Sequence, residues 1–179
     1  EWTAIDLLSQ SEHDKGSRAI LICDSSEFAD KVEEKIKFHL SGISRSEIAA
    51  KSWGDNGLII IADNIKNVGP IIDRIAPEHL QLSIENPKQL LSKFSNAGSI
   101  FLGRNTPEAL GDYIAGPNHV LPTSRTSRFT SGLSVLDFLK RSSIIESSNK
   151  SLNTLSEDIM AIAECEGLSA HALSVSIRL

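Results

Sequence analysis

Five histidines, His13, His39, His79, His119 and His171, are the side chains best suited to bind a metal or carry a proton near neutral pH. Taken singly, each reads better as a surface or satisfied core residue. His39 falls near the end of an amphipathic helix, where a partly protonated imidazole favours the helix dipole. Glu78-His79 is different, because the pair directly follows Ala76-Pro77 at the start of an expected strand. A carboxylate beside an imidazole offers a base and a proton shuttle, and such groups in α/β proteins gather at element ends. The competing reading is a turn that holds two polar side chains in water.

Asp112 and His119 belong with the stiff run Gly116-Pro117-Asn118. They supply oxygen and nitrogen donors of the kinds that bind zinc. A helix end followed by a turn accounts for the same residues. Gln10 and His13, three apart in an expected helical stretch, lie one turn apart on one face and could reach a common metal. From spacing alone, a solvent-facing pair is the simpler reading. Glu166 and His171 follow an expected tail helix, and pattern alone makes them surface residues. No Gly-x-Gly-x-x-Gly, Gly-x-Ser-x-Gly or P-loop pattern is present, and the His-Glu-x-x-His signature of a metallohydrolase is also missing.

The elements that must position these residues alternate in period. A helical stretch over Trp2–Glu12 leads to the strand Ala19–Cys23. Ser26 is expected to cap a helix over Phe28–Leu40, with Phe28, Val32, Ile36 and Leu40 on one face. The run Gly57–Ala62 is almost continuously apolar, as in a strand buried on both faces of a parallel sheet. A helix over Ile65–Ile75, a strand near Leu80–Ile84, a helix over Pro87–Phe94 and a strand Gly98–Leu102 follow. Such alternation indicates an α/β fold with a parallel sheet. Thr106 and Pro107 are expected to cap and start a short helix. The long stretch Gly116–Gly132 is read as an ordered functional loop, since loops of that length are uncommon without a role.

In the tail, Thr154 and Glu157 form a capping box for a helix over Ser156–Glu166. Leu173, Val175 and Ile177 alternate with polar residues, as in a half-buried strand. A lone helix and strand bury little, so this tail is expected to pack on another domain or subunit.

The composition is that of an ordinary globular protein, with 40% hydrophobic and 23% charged residues among 179. The net charge of −5 and the lack of basic clusters argue against nucleic acid as a partner. No apolar run approaches the ~18 residues of a membrane span. The isolated Cys23 and Cys165 suggest a reducing compartment, hence the cytoplasm. Glu1-Trp2-Thr3 opens within a helix, without initiator methionine or cap, as expected of a chain that begins inside a longer one.

Several stretches together resemble the histidinol dehydrogenase family. They are Leu-Leu-Ser-Gln-Ser-Glu-His-Asp (7–14), Asp-Asn-Gly (55–57), Arg-Ile-Ala-Pro-Glu-His-Leu (74–80) and Asn-Ala-Gly-Ser-Ile-Phe-Leu-Gly (96–103). Two longer ones are Thr-Pro-Glu-Ala-Leu-Gly-Asp-Tyr-Ile-Ala-Gly-Pro-Asn-His-Val-Leu-Pro-Thr (106–123) and Arg-Phe-Thr-Ser-Gly-Leu-Ser-Val-Leu-Asp-Phe-Leu-Lys-Arg (128–141). They run in order along nearly the whole chain.

The resemblance implies that Gln10, His13, Asp112 and His171 are zinc ligands. It makes Glu78 and His79 the catalytic pair, and adds His119 and Glu166 to Glu78, His79, Asp112 and His171 as substrate contacts. The family oxidises L-histidinol to L-histidine with NAD in two steps, through an enzyme-held aldehyde. Its tail crosses to the partner subunit of a homodimer. On this basis residues 1–141 form the C-terminal part of an incomplete Rossmann-like catalytic domain, and residues 142–179 a linker and dimerisation tail. Family chains are considerably longer, and their N-terminal portion supplies most of the NAD-binding surface, so this chain is expected to be inactive alone. The alternative is a non-enzymatic fragment that only binds zinc or dimerises.

Overall fold

The computed structural model describes residues 1–179, which form two compact units, Glu1–Asp137 and Phe138–Leu179. The first unit is α/β. Its elements are α1 (Trp2–Ser11), β1 (Ile20–Cys23), α2 (Ser26–Leu40), α3 (Ser46–Asn56), β2 (Leu58–Ile61), α4 (Gly69–Ile75), β3 (His79–Leu82), β4 (Ser99–Leu102) and α5 (Glu108–Tyr113). The parallel pairing expected from the apolar runs is present in two pieces. β1 pairs with β2 from Ile20↔Leu58 to Cys23↔Ile61, and β3 pairs with β4 from His79↔Ser99 to Leu82↔Leu102.

Side chains alternate along β1, so it serves two cores. Leu21 packs on a cluster built from Ala4, Leu8, Val32, Ile36 and Ala49, which fastens α1, α2 and α3 together. Ile22 packs on the other, where Val68, Ile72, Leu82, Leu90 and Phe94 hold α4 against β3. Ile36 is fully buried, and truncating such a residue to alanine costs about 2–5 kcal/mol.

The structure moves several expected features. Ser25, not Ser26, caps α2, its hydroxyl accepting the Phe28 N–H at 3.2 Å. β2 is not buried on both faces throughout: Leu58 and Ile61 are exposed, since in a two-stranded sheet it has a neighbour on one side only. The expected helix over Ile65–Ile75 splits into a 3₁₀ turn, Ile65–Asn67, and α4. The one over Pro87–Phe94 shrinks to a 3₁₀ turn, Pro87–Leu90. Thr106 does not cap α5; its hydroxyl donates to the Leu102 carbonyl at 2.8 Å, and Pro107 takes the cap position. α3 has no counterpart among the elements expected from sequence. Its buried residues are the small Ala49 and Ser52, and small residues leave no apolar stripe to read.

The second unit holds α6 (Asn149–Cys165) and α7 (Ser169–Ser176), packed on each other. The tail is therefore two helices, not a helix plus a strand. Ser148 caps α6 by accepting the Ser151 N–H at 3.1 Å, and Thr154 lies inside the helix, donating back to the Lys150 carbonyl. Gly167, at φ 72°, reverses the chain; its N–H donates to the Glu164 carbonyl and that of Leu168 to the Ala163 carbonyl. Leu173 and Val175 lie in α7, and Ile177 caps it. A six-residue alternation is too short to outweigh local helical hydrogen bonds in a unit that holds no strand.

Candidate active site

The site begins where α4 stops. Ala76 turns the chain in the left-handed region (φ 50°, ψ 63°), and Pro77 then prevents the helix from resuming. Glu78 follows, and His79 is the first residue of β3. The backbone here is held from β4. The Gly98 N–H donates to the Pro77 carbonyl at 3.0 Å and the Ser99 N–H to the Glu78 carbonyl at 2.8 Å. Position 98 must be glycine, because a Cβ would lie 2.6 Å from the Glu78 carbonyl oxygen. One turn back, the Asp73 carboxylate accepts the N–H groups of Ser95 and Asn96 at 2.7 and 2.8 Å, fixing the approach to β4.

α5 completes the site from above. Glu108 and Asp112 are four residues apart, hence on one helical face. Gly111 lets that face come close: a Cβ there would lie 2.5 Å from the ring of Phe101 on β4. Glu108 Oε1 reaches within 3.1 Å of His79 Nδ1, and Asp112 Oδ1 lies 3.9 Å from His79 Nε2 and 3.0 Å from His119 Nδ1. The rings of His79 and His119 stack at 5.1 Å. His119 is held by its loop, in which Asn118 Oδ1 accepts the Val120 N–H at 2.8 Å and the Asn118 amide donates to the Leu133 carbonyl. The Arg125 guanidinium ties the same loop to α4, donating to the Arg74 carbonyl at 2.7 Å.

Two groups of candidate ligands share Asp112. His79, Asp112 and His119 form one, and His13, Glu108 and Asp112 the other; within each, the donor atoms lie within 4.8 Å of one another. His79 Nε2, Glu108 Oε1 and Asp112 Oδ1 are buried with no well-directed hydrogen bond, since the short separations are not matched by N–H groups aimed at the oxygens. Buried polar atoms left this way are costly, and a cation or a polar substrate would satisfy them.

Burial also sets the protonation states. It pushes the Glu108 carboxyl up to about 7, helped by the nearby charges of Asp112, Glu78 and Asp6. It pushes His79 down to about 4, against the pull of Asp112, so the ring is neutral at pH 7. Glu78 is raised by burial, with His119 and His13 opposing.

Of the residues singled out by sequence, Glu78, His79, Asp112, His119 and His13 meet around this cleft. α1 ends at Ser11, so His13 is not on a shared helical face with Gln10. It sits in the bend beyond, its N–H donating weakly to the Gln10 carbonyl at 3.5 Å. Gln10 is half-buried near the end of α1. Glu166 caps α6 and His171 lies on α7; both are exposed, in the second unit. Glu108 is not among the residues that the sequence singles out. Its i, i+4 spacing to Asp112 was the one available signal.

A neutral imidazole flanked by carboxylates at the ends of parallel strands, beside mixed nitrogen and oxygen donors, defines an α/β acid–base site able to hold a metal. Relatives make the class specific. The histidinol dehydrogenase family model matches residues 1–179, and the chain belongs to that family. It is 50% identical over 180 residues to the histidinol dehydrogenase of Rhodospirillum rubrum, covering all of this chain and 42% of that protein. With the one from Agrobacterium fabrum it shares 49% over 179 residues, covering 41% of that protein. The crystal structure of histidinol dehydrogenase from Elizabethkingia anophelis superposes on 99% of this chain with a TM-score of 0.86 at 34% identity, using 41% of its own length. The chain thus spans about two fifths of the length of these relatives. No helix is long and apolar enough to cross a membrane.

Proposed function

We propose that this chain carries the acid–base residues and part of the metal-ligand set of an NAD-dependent, zinc-assisted histidinol dehydrogenase of histidine biosynthesis. The reaction is the oxidation of L-histidinol to L-histidine through an aldehyde. The observation that carries this reading is the convergence of Glu78, His79, Glu108, Asp112, His119 and His13 on one cleft with unpartnered buried atoms.

His13 and Asp112 offer the mixed donors that suit Zn2+, and the unpartnered Asp112 Oδ1 is an atom a cation would satisfy. Gln10, near the end of α1, joins this set by resemblance. Bound zinc would orient and polarise the substrate's imidazole and amine, with NAD as hydride acceptor. His79, neutral at pH 7, accepts the substrate's hydroxyl proton at Nε2. Glu78, whose carboxyl is raised by burial, receives a proton from water when the aldehyde is hydrated. Asp112 and His119 orient the substrate beside the ring they flank. Glu166 and His171 serve the site of a second copy in a homodimer, by exchange of the tail over residues 142–179. Residues 1–141 are then the C-terminal part of an incomplete Rossmann-like catalytic domain. The N-terminal portion of the enzyme brings the NAD surface, and a reducing cytoplasm suits the two free cysteines.

The test joins this chain to its N-terminal complement and follows NADH formation with histidinol and added zinc. Activity is expected, with His79→Ala lowering kcat by about 10²–10⁴. No histidinol-dependent NADH at any zinc concentration would overturn the reading.

A further inference from the structure

We propose that Glu108 is a positioning residue for His79, its carboxylate fixing the ring proton on Nδ1 so that Nε2 stands free towards the reacting group. The inference deepens the proposed function and rests on His79 being its base. Glu108 opens α5 and brings Oε1 to 3.1 Å from His79 Nδ1, with both side chains nearly buried, at 12% and 11% exposure. A neutral imidazole carries one ring proton, and which nitrogen holds it is set by the partner of the other. Two carboxylates compete for that proton here. Asp112 Oδ1 stands 3.9 Å from Nε2 and would draw it there, which would spoil the ring as a base at that atom. Glu108 is the nearer and so wins, leaving Nε2 as the acceptor. The N–H of Nδ1 is not yet squarely aimed at Oε1, and hydrogen bonds of this kind tighten when substrate binds. The ring has little freedom to swing away, because His119 stacks on it at 5.1 Å and Phe101 packs at 6.0 Å. The competing assignment of Glu108 is as a ligand beside His13 and Asp112.

The test uses the enzyme completed with its N-terminal portion and labelled with 15N-histidine, observed above the Glu108 carboxyl's raised pKa of about 7. The His79 signals are assigned by their loss in His79→Gln. The wild-type ring is expected as the Nδ1–H tautomer. Glu108→Leu, and the better-tolerated Glu108→Gln, should move population to Nε2–H and lower kcat by about 10²-fold with KM little changed. An Nε2–H ring in the wild-type protein overturns the proposal whatever the variants do. So does an unchanged tautomer in both variants accompanied by weakened zinc binding, which would make Glu108 a ligand. If the completed wild-type enzyme forms no NADH from histidinol while the tautomer shifts as expected, the functional reading fails and the role of Glu108 in fixing the ring proton stands.

Discussion

Gly111→Ala tests how the site is assembled, because the change adds one methyl group directed at the ring of Phe101. The Cβ would fall 2.5 Å from Phe101 Cε1 and 2.7 Å from Cζ. Carbon–carbon contacts settle near 3.5–4.0 Å, so α5 has to retreat by about 1 Å. Phe101 cannot yield easily, being buried on β4 at 6% exposure. Overpacking of this kind costs about 1–3 kcal/mol, and alanine returns about 1 kcal/mol as the better helix former. The net loss is then about 0–2 kcal/mol, a fall in Tm of at most roughly 8 °C. Activity should suffer more. α5 carries both Glu108 and Asp112, and a misplacement of about 1 Å can cost on the order of 10²-fold in rate. The assay pairs thermal unfolding with kcat of the completed enzyme. Phe101→Leu in the same chain removes the ring atoms that clash, so the double variant should recover part of the lost rate. A Gly111→Ala enzyme with wild-type kcat and Tm would refute the claim that close approach of α5 to β4 builds the site.

Gly98→Ala should uncouple Glu78 from β4, since its Cβ would meet the Glu78 carbonyl at 2.6 Å; we expect a loss of about 1–3 kcal/mol in denaturant unfolding. Stability against pH should reveal the buried pair in the metal-free protein. Glu108, raised from 4.5 to about 7, contributes stability that is full below 4.5 and lost as pH rises through 7. His79, lowered from 6.5 to about 4, contributes stability that is full above 6.5 and lost as pH falls through 4. The two slopes oppose each other between 4.5 and 6.5, so Glu108→Gln should make stability rise more steeply with pH there than in the wild type; an identical profile for both proteins would count against these protonation states. At the start of α6, Ser148→Ala should cost about 1 kcal/mol, whereas Thr154→Ala should be neutral or slightly stabilising. Circular dichroism melts of the two variants decide between them.

Local signals determined what local physics can specify. The amphipathic stripe of α2, with Val32 and Ile36 buried, and the apolar runs of β1, β2 and β4 lie where their periods put them. Glu78-His79 and Asp112 through His119 stood out because Pro77, Gly116 and Pro117 restrict the backbone around polar side chains. Family resemblance supplied Gln10, His13, Glu166 and His171. Helix ends escaped more often, because a cap is one hydrogen bond won among several neighbouring hydroxyls, as with Ser25 over Ser26 and Ser148 over Thr154.

Tertiary structure alone decided how these residues meet. The partnership of Glu108 with His79 spans separate elements and exists only because Gly111 lets α5 settle on Phe101. Burial, which no short window of sequence encodes, moves Glu108 and His79 in opposite directions and leaves both without full charge near pH 7. The alternation of Leu173, Val175 and Ile177 has the period of a strand, yet these residues lie in or cap a helix. With no strand in its own unit, the chain closed its hydrogen bonds within itself and packed as α7 on α6.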